Sequence, residues 1–404
     1  MSYKENFPYF KYNKEEIYLD TAATSLKPKS VLDAEYEYNV KIAANTHNTL
    51  FNNAYKANQI LEETRKLTGF FIGVENKEEI IFTSGATHSI NQIVFGMQKT
   101  LSQGDEIVLN ELEHSSNLLP WMVLAEKLGL AIKYFKLKDE GTIDINHIKD
   151  VINEKTKFVS FASVSNTYGG WNDVKTIVKN IRQINKNVKV VVDSAQSIAH
   201  IKTDVIDWDI DFLAFSAHKM YGPFGLGILW AKKDWLEIMD PIFYGGGNNS
   251  KILKNEYSLA KIPYKFEAGT LNLSAIAGFK EALNFINKIS IEKINTYESM
   301  LKKYFVKLTK TLDPNKIKFY NLESNQPIVL FNVNKVNAQD FGIFLNKKYN
   351  ISVRVGKHCA RLAKDFSAVD STIRASFGIY TTKKDLKYFI EALNDSDAWI
   401  DELI

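Results

Sequence analysis

The 404-residue chain has one cysteine, Cys359. That excludes an intramolecular disulfide and any zinc site built from several thiolates. No uninterrupted apolar run approaches the ~18 residues of a transmembrane span. The opening stretch MSYKENFPYF lacks the apolar core of a secretion signal. The sequence therefore reads as a cytoplasmic protein without membrane association. Dense charge is missing too: 51 Lys and Arg against 47 Asp and Glu leave a net +4, with no basic stripe of the kind nucleic-acid binding requires. Internal repeats and low-complexity tracts do not occur. Neither does a nucleotide P-loop, nor a G-x-G-x-x-G opening a helix.

Composition is otherwise that of a globular protein able to bury a large core, 45% hydrophobic and 24% charged. Short apolar runs at 79–83, 105–109, 157–162, 189–193, 212–216 and 227–231 read as strands. Helical patterns at 88–99, 119–128 and 174–185 alternate with them. Such alternation predicts an α/β fold with a mostly parallel sheet covered by helices. Beyond 275 the pattern changes to one long helical stretch over 275–310, strands at 328–333 and 351–355, and a helix at 385–393. The expected division is a large domain over 16–274 and a smaller α+β domain over 275–404, with 1–15 packed on the latter and a cleft between the two.

Four post-strand positions carry chemistry. Lys219 sits in FSAHKMYGPFGLG between a small-residue turn and a Gly/Pro loop, an unusual place for a merely solubilising charge. Asp193 closes the run KVVVDSAQ, either as a helix cap or as the partner of a cationic ring nitrogen. TSGATHSIN (83–91) joins a strand to a helix, where exposed N–H groups and the Thr87 hydroxyl can hold a phosphate, or simply cap the helix. His114, in LNELEHSSN, is either a packed or capping residue or a ring stacked on a cofactor with a nitrogen free for proton transfer. Loops at the carboxyl ends of neighbouring strands converge in open α/β sheets. A lysine for an imine, an acid for a pyridine nitrogen and a phosphate anchor are the three requirements of pyridoxal-phosphate chemistry.

The motifs TSGATHSIN, ELEHSSN, SVSNTYGG, VVDSAQ, FSAHKMYGP, FEAGT, RVGKHCA and STIRAS, in that order after YLDTAATS, resemble the class V aminotransferase superfamily. Within it they are most similar to SufS-like (group II) cysteine desulfurases. The resemblance implies fold type I of the pyridoxal-phosphate-dependent transferases. It implies that Lys219 forms the imine with the cofactor and moves protons, and that Asp193 pairs with the ring nitrogen. Gln196 would bond the phenolic oxygen, and His114 would stack on the ring. Ala86, Thr87, Ser216 and His218 would hold the phosphate, with Thr270 reaching the phosphate of a neighbouring subunit in a homodimer. Asn166 and Arg374 would hold the substrate carboxylate, with Arg354 contributing.

By the same resemblance Cys359, near Lys357, His358 and Arg361, is the nucleophile, and neighbouring cations favour a thiolate. It would take sulfur from L-cysteine as a persulfide, release L-alanine and pass the sulfur to an acceptor protein, SufU- or SufE-like, for iron–sulfur or thio-cofactor assembly. The sequence departs from the family at three places: Gly356-Lys357-His358-Cys359 replaces GHHC, residues 45–51 lack an arginine and a histidine of N-x-H-R-G-x-H, and ARLAKDF follows the cysteine in place of an apolar-proline run. These bear on substrate handling and sulfur hand-off. Other readings are a selenocysteine lyase, a cysteine-sulfinate desulfinase or an aminotransferase of the same fold, and a scaffold without activity. Loss of activity on replacing Cys359 separates the first from these.

Overall fold

A two-residue strand β1 (Ile17–Tyr18) precedes the central sheet. That sheet comprises β2 (Ile80–Thr83), β3 (Glu106–Leu109), β4 (Ala131–Tyr134), β5 (Thr156–Ala162), β6 (Lys189–Asp193), β7 (Phe212–Ser216) and β8 (Gly227–Ala231). These come from a computed structural model that describes residues 3–46, 50–324, 326–363 and 370–400. His47, Asn48 and Thr49 of the 45–51 segment, and the end of the segment after Cys359, lie outside the described residues. The spatial order is β2-β8-β7-β6-β5-β3-β4, and only β8 runs against its neighbours. The sheet is therefore mostly parallel, as the alternating pattern predicts.

The apolar runs are buried on both faces. Val190, Val192, Leu213 and Phe215 join one core cluster, while Val191, Phe212 and Ala214 join another. This is the period-2 alternation of a strand covered twice. With α1 (Lys29–Glu37) packed against α6 (Leu273–Ile289), the first face packs on α2 (Asn52–Phe71), α5 (Val174–Ile184) and α6. The second packs on α3 (Ala86–Gly96) and α4 (Ser115–Leu128). Helix α5 shows why: Val174, Ile177, Val178 and Ile181 are buried along one stripe, and Asp173 caps its first turn by accepting from Thr176 N–H.

The expected single helix over 275–310 is two. Ser290 interrupts it with φ 77°, and its hydroxyl caps the second helix, α7 (Ile291–Thr309), by accepting from Lys293 N–H. The break redirects the chain. Helix α6 belongs to the main core, whereas Leu301 and Phe305 of α7 belong to a second. That second core packs against a four-stranded antiparallel sheet, ordered β11-β12-β15-β14. Its strands are β11 (Ile317–Phe319), β12 (Ile328–Val333), β14 (Arg354–Gly356) and β15 (Thr372–Ser376), and they follow the exposed hairpin β9 (Asn249–Ile252) and β10 (Tyr257–Leu259). The strand expected over 351–355 is likewise split: β13 (Ile351–Ser352) pairs with β1, and β14 pairs with β15. The N-terminal segment joins the main core through Phe7 on Tyr380 and reaches the helix over Lys383–Asn394 through a 2.9 Å ion pair from Lys4 to Asp385.

Two contacts shape the site end of the sheet. Thr83, Gly227 and Ser216 lie side by side in the register of β2, β8 and β7. A Cβ on Gly227 would meet the Gly85 backbone at 2.4–2.7 Å, so only glycine lets the turn before α3 close over β8. The buried Arg65 guanidinium forks onto Glu267 at 2.8 and 2.9 Å, and Glu267 also accepts from Phe82 N–H. This ties α2, the edge strand β2 and the loop approaching Thr270 together. Among the described residues no helix is long and apolar enough to cross a membrane.

Candidate active site

The carboxyl ends of β5, β6 and β7 stop at Ala162, Asp193 and Ser216, and these three line one cavity of about 230 Å³. Ala86, Thr87, His114, Asn166, Gln196, His218, Lys219, Arg354, Cys359 and Arg374 line it as well. Every residue predicted for the site is therefore brought together except Thr270. Two larger clefts, of about 830 and 850 Å³ against Trp171, contain none of them.

Lys219 ends a short 3-10 turn directly after β7. Burial lowers its amine to about 8; Asp193 opposes the shift, and Arg374 reinforces burial. Asp193 is buried, and burial raises its carboxyl against the pull of Ala195 N–H, which donates to Oδ1 at 2.9 Å. No helix follows Asp193: the bond from Ala195 closes a turn, so the helix-cap role weighed for Asp193 is not formed, while its place in the cavity is. The Gln196 amide nitrogen donates to Ala22 O at 2.7 Å. At the turn into α3, Ala86 N–H donates to Ser216 Oγ at 2.8 Å, and the hydroxyls of Thr87 and Ser116 meet at 2.7 Å. His218 stacks on Phe224, and its buried Nδ1 has no partner among the described residues.

His114 caps α4, its Nδ1 accepting from Ser116 N–H at 3.1 Å. Burial, with Lys219 and two arginines nearby, lowers the ring to about 4, so it is neutral. With Nδ1 accepting, the hydrogen-bond pattern assigns the proton to Nε2.

On the opposite wall, Arg354 of β14 and Arg374 of β15 are direct cross-strand partners. Like charges so placed repel, and Asp20 lies between them, 3.4 Å from Arg374 and 3.9 Å from Arg354. Arg374 also donates from Nη1 to Asn166 O at 2.7 Å, while its buried Nε is unpartnered among the described residues. Cys359 is exposed and sits with His358 in left-handed backbone, φ 57° and 49°. His358 bonds Thr372 Oγ1 at 2.9 Å, and burial lowers its ring to about 3. Lys357 faces away into an ion pair with Asp370 at 2.8 Å.

Thr270 is exposed, bonded by Asn45 Nδ2 at 3.3 Å. Asp20 and Ser116 are the cavity-side polar residues to which sequence reasoning gave no role, whereas His358, expected as a cation beside Cys359, is neutral because burial lowers its ring, and Lys357 is paired with Asp370. Asp20 lies inside the quoted YLDTAATS, but nothing local reveals its arginines. Among the described residues no group of three or more His, Cys, Asp or Glu could hold a metal ion.

The class-V aminotransferase family model matches residues 17–389. A probable cysteine desulfurase of Ureaplasma parvum serovar 3 is 42% identical over 393 residues, 97% of this chain and 96% of that protein. Among solved structures, the apo cysteine desulfurase of Thermococcus onnurineus NA1 superposes with a TM-score of 0.92 at 32% identity, over 97% of this chain and 96% of that one. The cysteine desulfurase CsdA of Escherichia coli does so with a TM-score of 0.90 at 28% identity, over 99% and 98%.

Proposed function

Because the chain belongs to the class-V aminotransferase family, we propose that it is a pyridoxal-phosphate-dependent cysteine desulfurase, converting L-cysteine to L-alanine with a persulfide on Cys359. The observation that carries this reading is an exposed thiol on the rim of the cavity that holds Lys219, Asp193 and Arg374. A transaminase has no use for that thiol.

The cavity suits the cofactor. The unpartnered His218 Nδ1 and the Ser216 and Thr87 hydroxyls, gathered at the start of α3 where Ala86 N–H holds Ser216 Oγ, would form an anion cradle at one end. Asp193 is the acid for the ring nitrogen, Gln196 keeps one amide hydrogen for the phenolic oxygen, and Lys219 supplies the amine. Bound there, pyridoxal phosphate supplies an electron sink that weakens bonds at the substrate's α- and β-carbons.

The chain's own residues do the rest. Arg374, held by Asn166 O and Asp20, offers Nε to the substrate carboxylate, and Asn166 and Arg354 complete the clamp. Lys219, with an amine near neutrality, takes and returns protons at the substrate carbons. Neutral His114 would cover the ring face when the cofactor is bound and can donate from Nε2. The Cys359 thiolate attacks the substrate sulfur; an S–S bond forms as the C–S bond breaks, and the three-carbon remainder leaves as L-alanine once protonated. Thr270 would serve the phosphate of a neighbouring subunit. A homodimer is therefore part of this reading, supported by the exposed apolar Leu50, Phe51 and Tyr55 that follow Asn45 in the chain. The persulfide would pass to an acceptor protein for iron–sulfur or thio-cofactor assembly. We place the activity in the cytoplasm, where a free thiol stays reduced.

The test is stoichiometric: L-cysteine with a reductant yields sulfide and alanine in equal amounts, and alanine without sulfide would defeat the reading. Asp20 makes a further prediction. As a fixed anion between two guanidiniums it competes with bound anions, so Asp20→Asn should make sulfate about tenfold more potent as a competitive inhibitor. Steady-state inhibition at constant ionic strength measures this, and unchanged potency would exclude the counter-ion role.

A further inference from the structure

Cys359 depends on something to hold it. Two consecutive non-glycine residues, His358 and Cys359, are left-handed, a backbone that persists only where surroundings enforce it. Among the described residues, the outside hydrogen bonds to this backbone come from two places. Asn166 Nδ2 donates to His358 O at 2.7 Å, and Ser115 donates to Cys359 O twice, from N–H and from Oγ, at 2.7 Å each. Ser115 is the first residue of α4, directly after His114. It does not line the cavity, whereas its neighbour Ser116 does. Ser116 serves the other side, bonding Thr87 Oγ1 at 2.7 Å and His114 Nδ1 at 3.0 Å.

We propose that Ser115 is a positioning residue that fixes the Cys359 loop over the cavity through its paired donors to the Cys359 carbonyl. The proposal rests on the reading of Cys359 as nucleophile. Both donors converge on one oxygen, which makes the carbonyl a pivot and fixes the direction of the neighbouring Cα–Cβ bond. The same helical turn that seats His114 thereby also seats the attacking sulfur, so the two are held at a fixed separation.

A graded series of holoenzymes tests this. Ser115→Thr keeps both donors and Ser115→Ala keeps the N–H. Ser115→Pro keeps neither, yet proline is well accepted at the first position of a helix, and His114 already has the extended backbone a following proline requires. Amide hydrogen exchange across 356–361 should stay at the wild-type rate in Ser115→Thr, and rise about tenfold in Ser115→Ala and about a hundredfold in Ser115→Pro. The single-turnover rate of persulfide formation should fall in the same order by similar factors, with the apparent affinity for L-cysteine within about twofold of wild type. Ser116→Ala should leave exchange at 356–361 unchanged. Wild-type exchange in Ser115→Pro, or a loss of affinity matching the loss of rate, overturns the proposal. The exchange measurement needs no turnover, so a wild-type enzyme inert toward L-cysteine would defeat the functional reading while leaving this result to stand or fall alone.

Discussion

Lys219→Ala is expected to reduce turnover of L-cysteine on the order of 10⁴-fold, the upper range for removing a positioned proton-transfer group. Lys219 is the cavity's one lysine among the described residues. Treated with borohydride and then denatured, the wild-type chain should retain the cofactor covalently, while the variant should release it. Retention by the variant would show that another amine carries it. The lowered amine also sets a pH dependence. With its ordinary value of 10.5 brought to about 8, the neutral fraction rises from about a tenth at pH 7 to about nine tenths at pH 9. Capture of free cofactor by the stripped protein should accelerate about tenfold over that interval. In the cofactor-free chain the unfolded state binds the extra proton between these two values, so Lys219 adds to stability as pH rises from about 8 towards 10.5.

Cys359→Ser should cost on the order of 10³-fold in both sulfide and alanine formation, because a hydroxyl at that position is a far weaker nucleophile toward sulfur than a thiolate. The cofactor's absorption and the affinity for L-cysteine should survive, since Cys359 is an exposed free thiol on the cavity rim and, among the described residues, no hydrogen bond ties its side chain to the cofactor side. The comparison is single-turnover alanine release, wild type against variant. Alanine formed at the wild-type rate would move the chain towards the aminotransferase or lyase reading and away from persulfide chemistry.

The residues that announced themselves in sequence are those whose chemistry is tied to strand ends. Asp193 and Lys219 follow apolar runs strong enough to be read as β6 and β7, and the sheet brings them together without further instruction. Asp20 could not be seen this way: its partner Arg374 is 354 residues away, and the two meet because the chain after β1 runs beside the end of β15, Asp20 bridging to Ser376. Ser115 gave no signal either, since a serine after a histidine at a helix start reads as capping. Among the elements, β4 was missed because it is an edge strand with partly exposed residues, and β15 because Arg374 interrupts its apolar pattern. The long helix was overextended because a lone serine does not show in sequence that its backbone turns left-handed.

One thiol in the chain, exposed on the surface, makes the protein its own gauge. Sulfur received from substrate has a single cysteine to occupy, so the mass of the intact chain reports loading directly, without digestion or site assignment. A population caught part-way through sulfur transfer would resolve into loaded and unloaded molecules, and their ratio would give the balance between charging and hand-off to an acceptor.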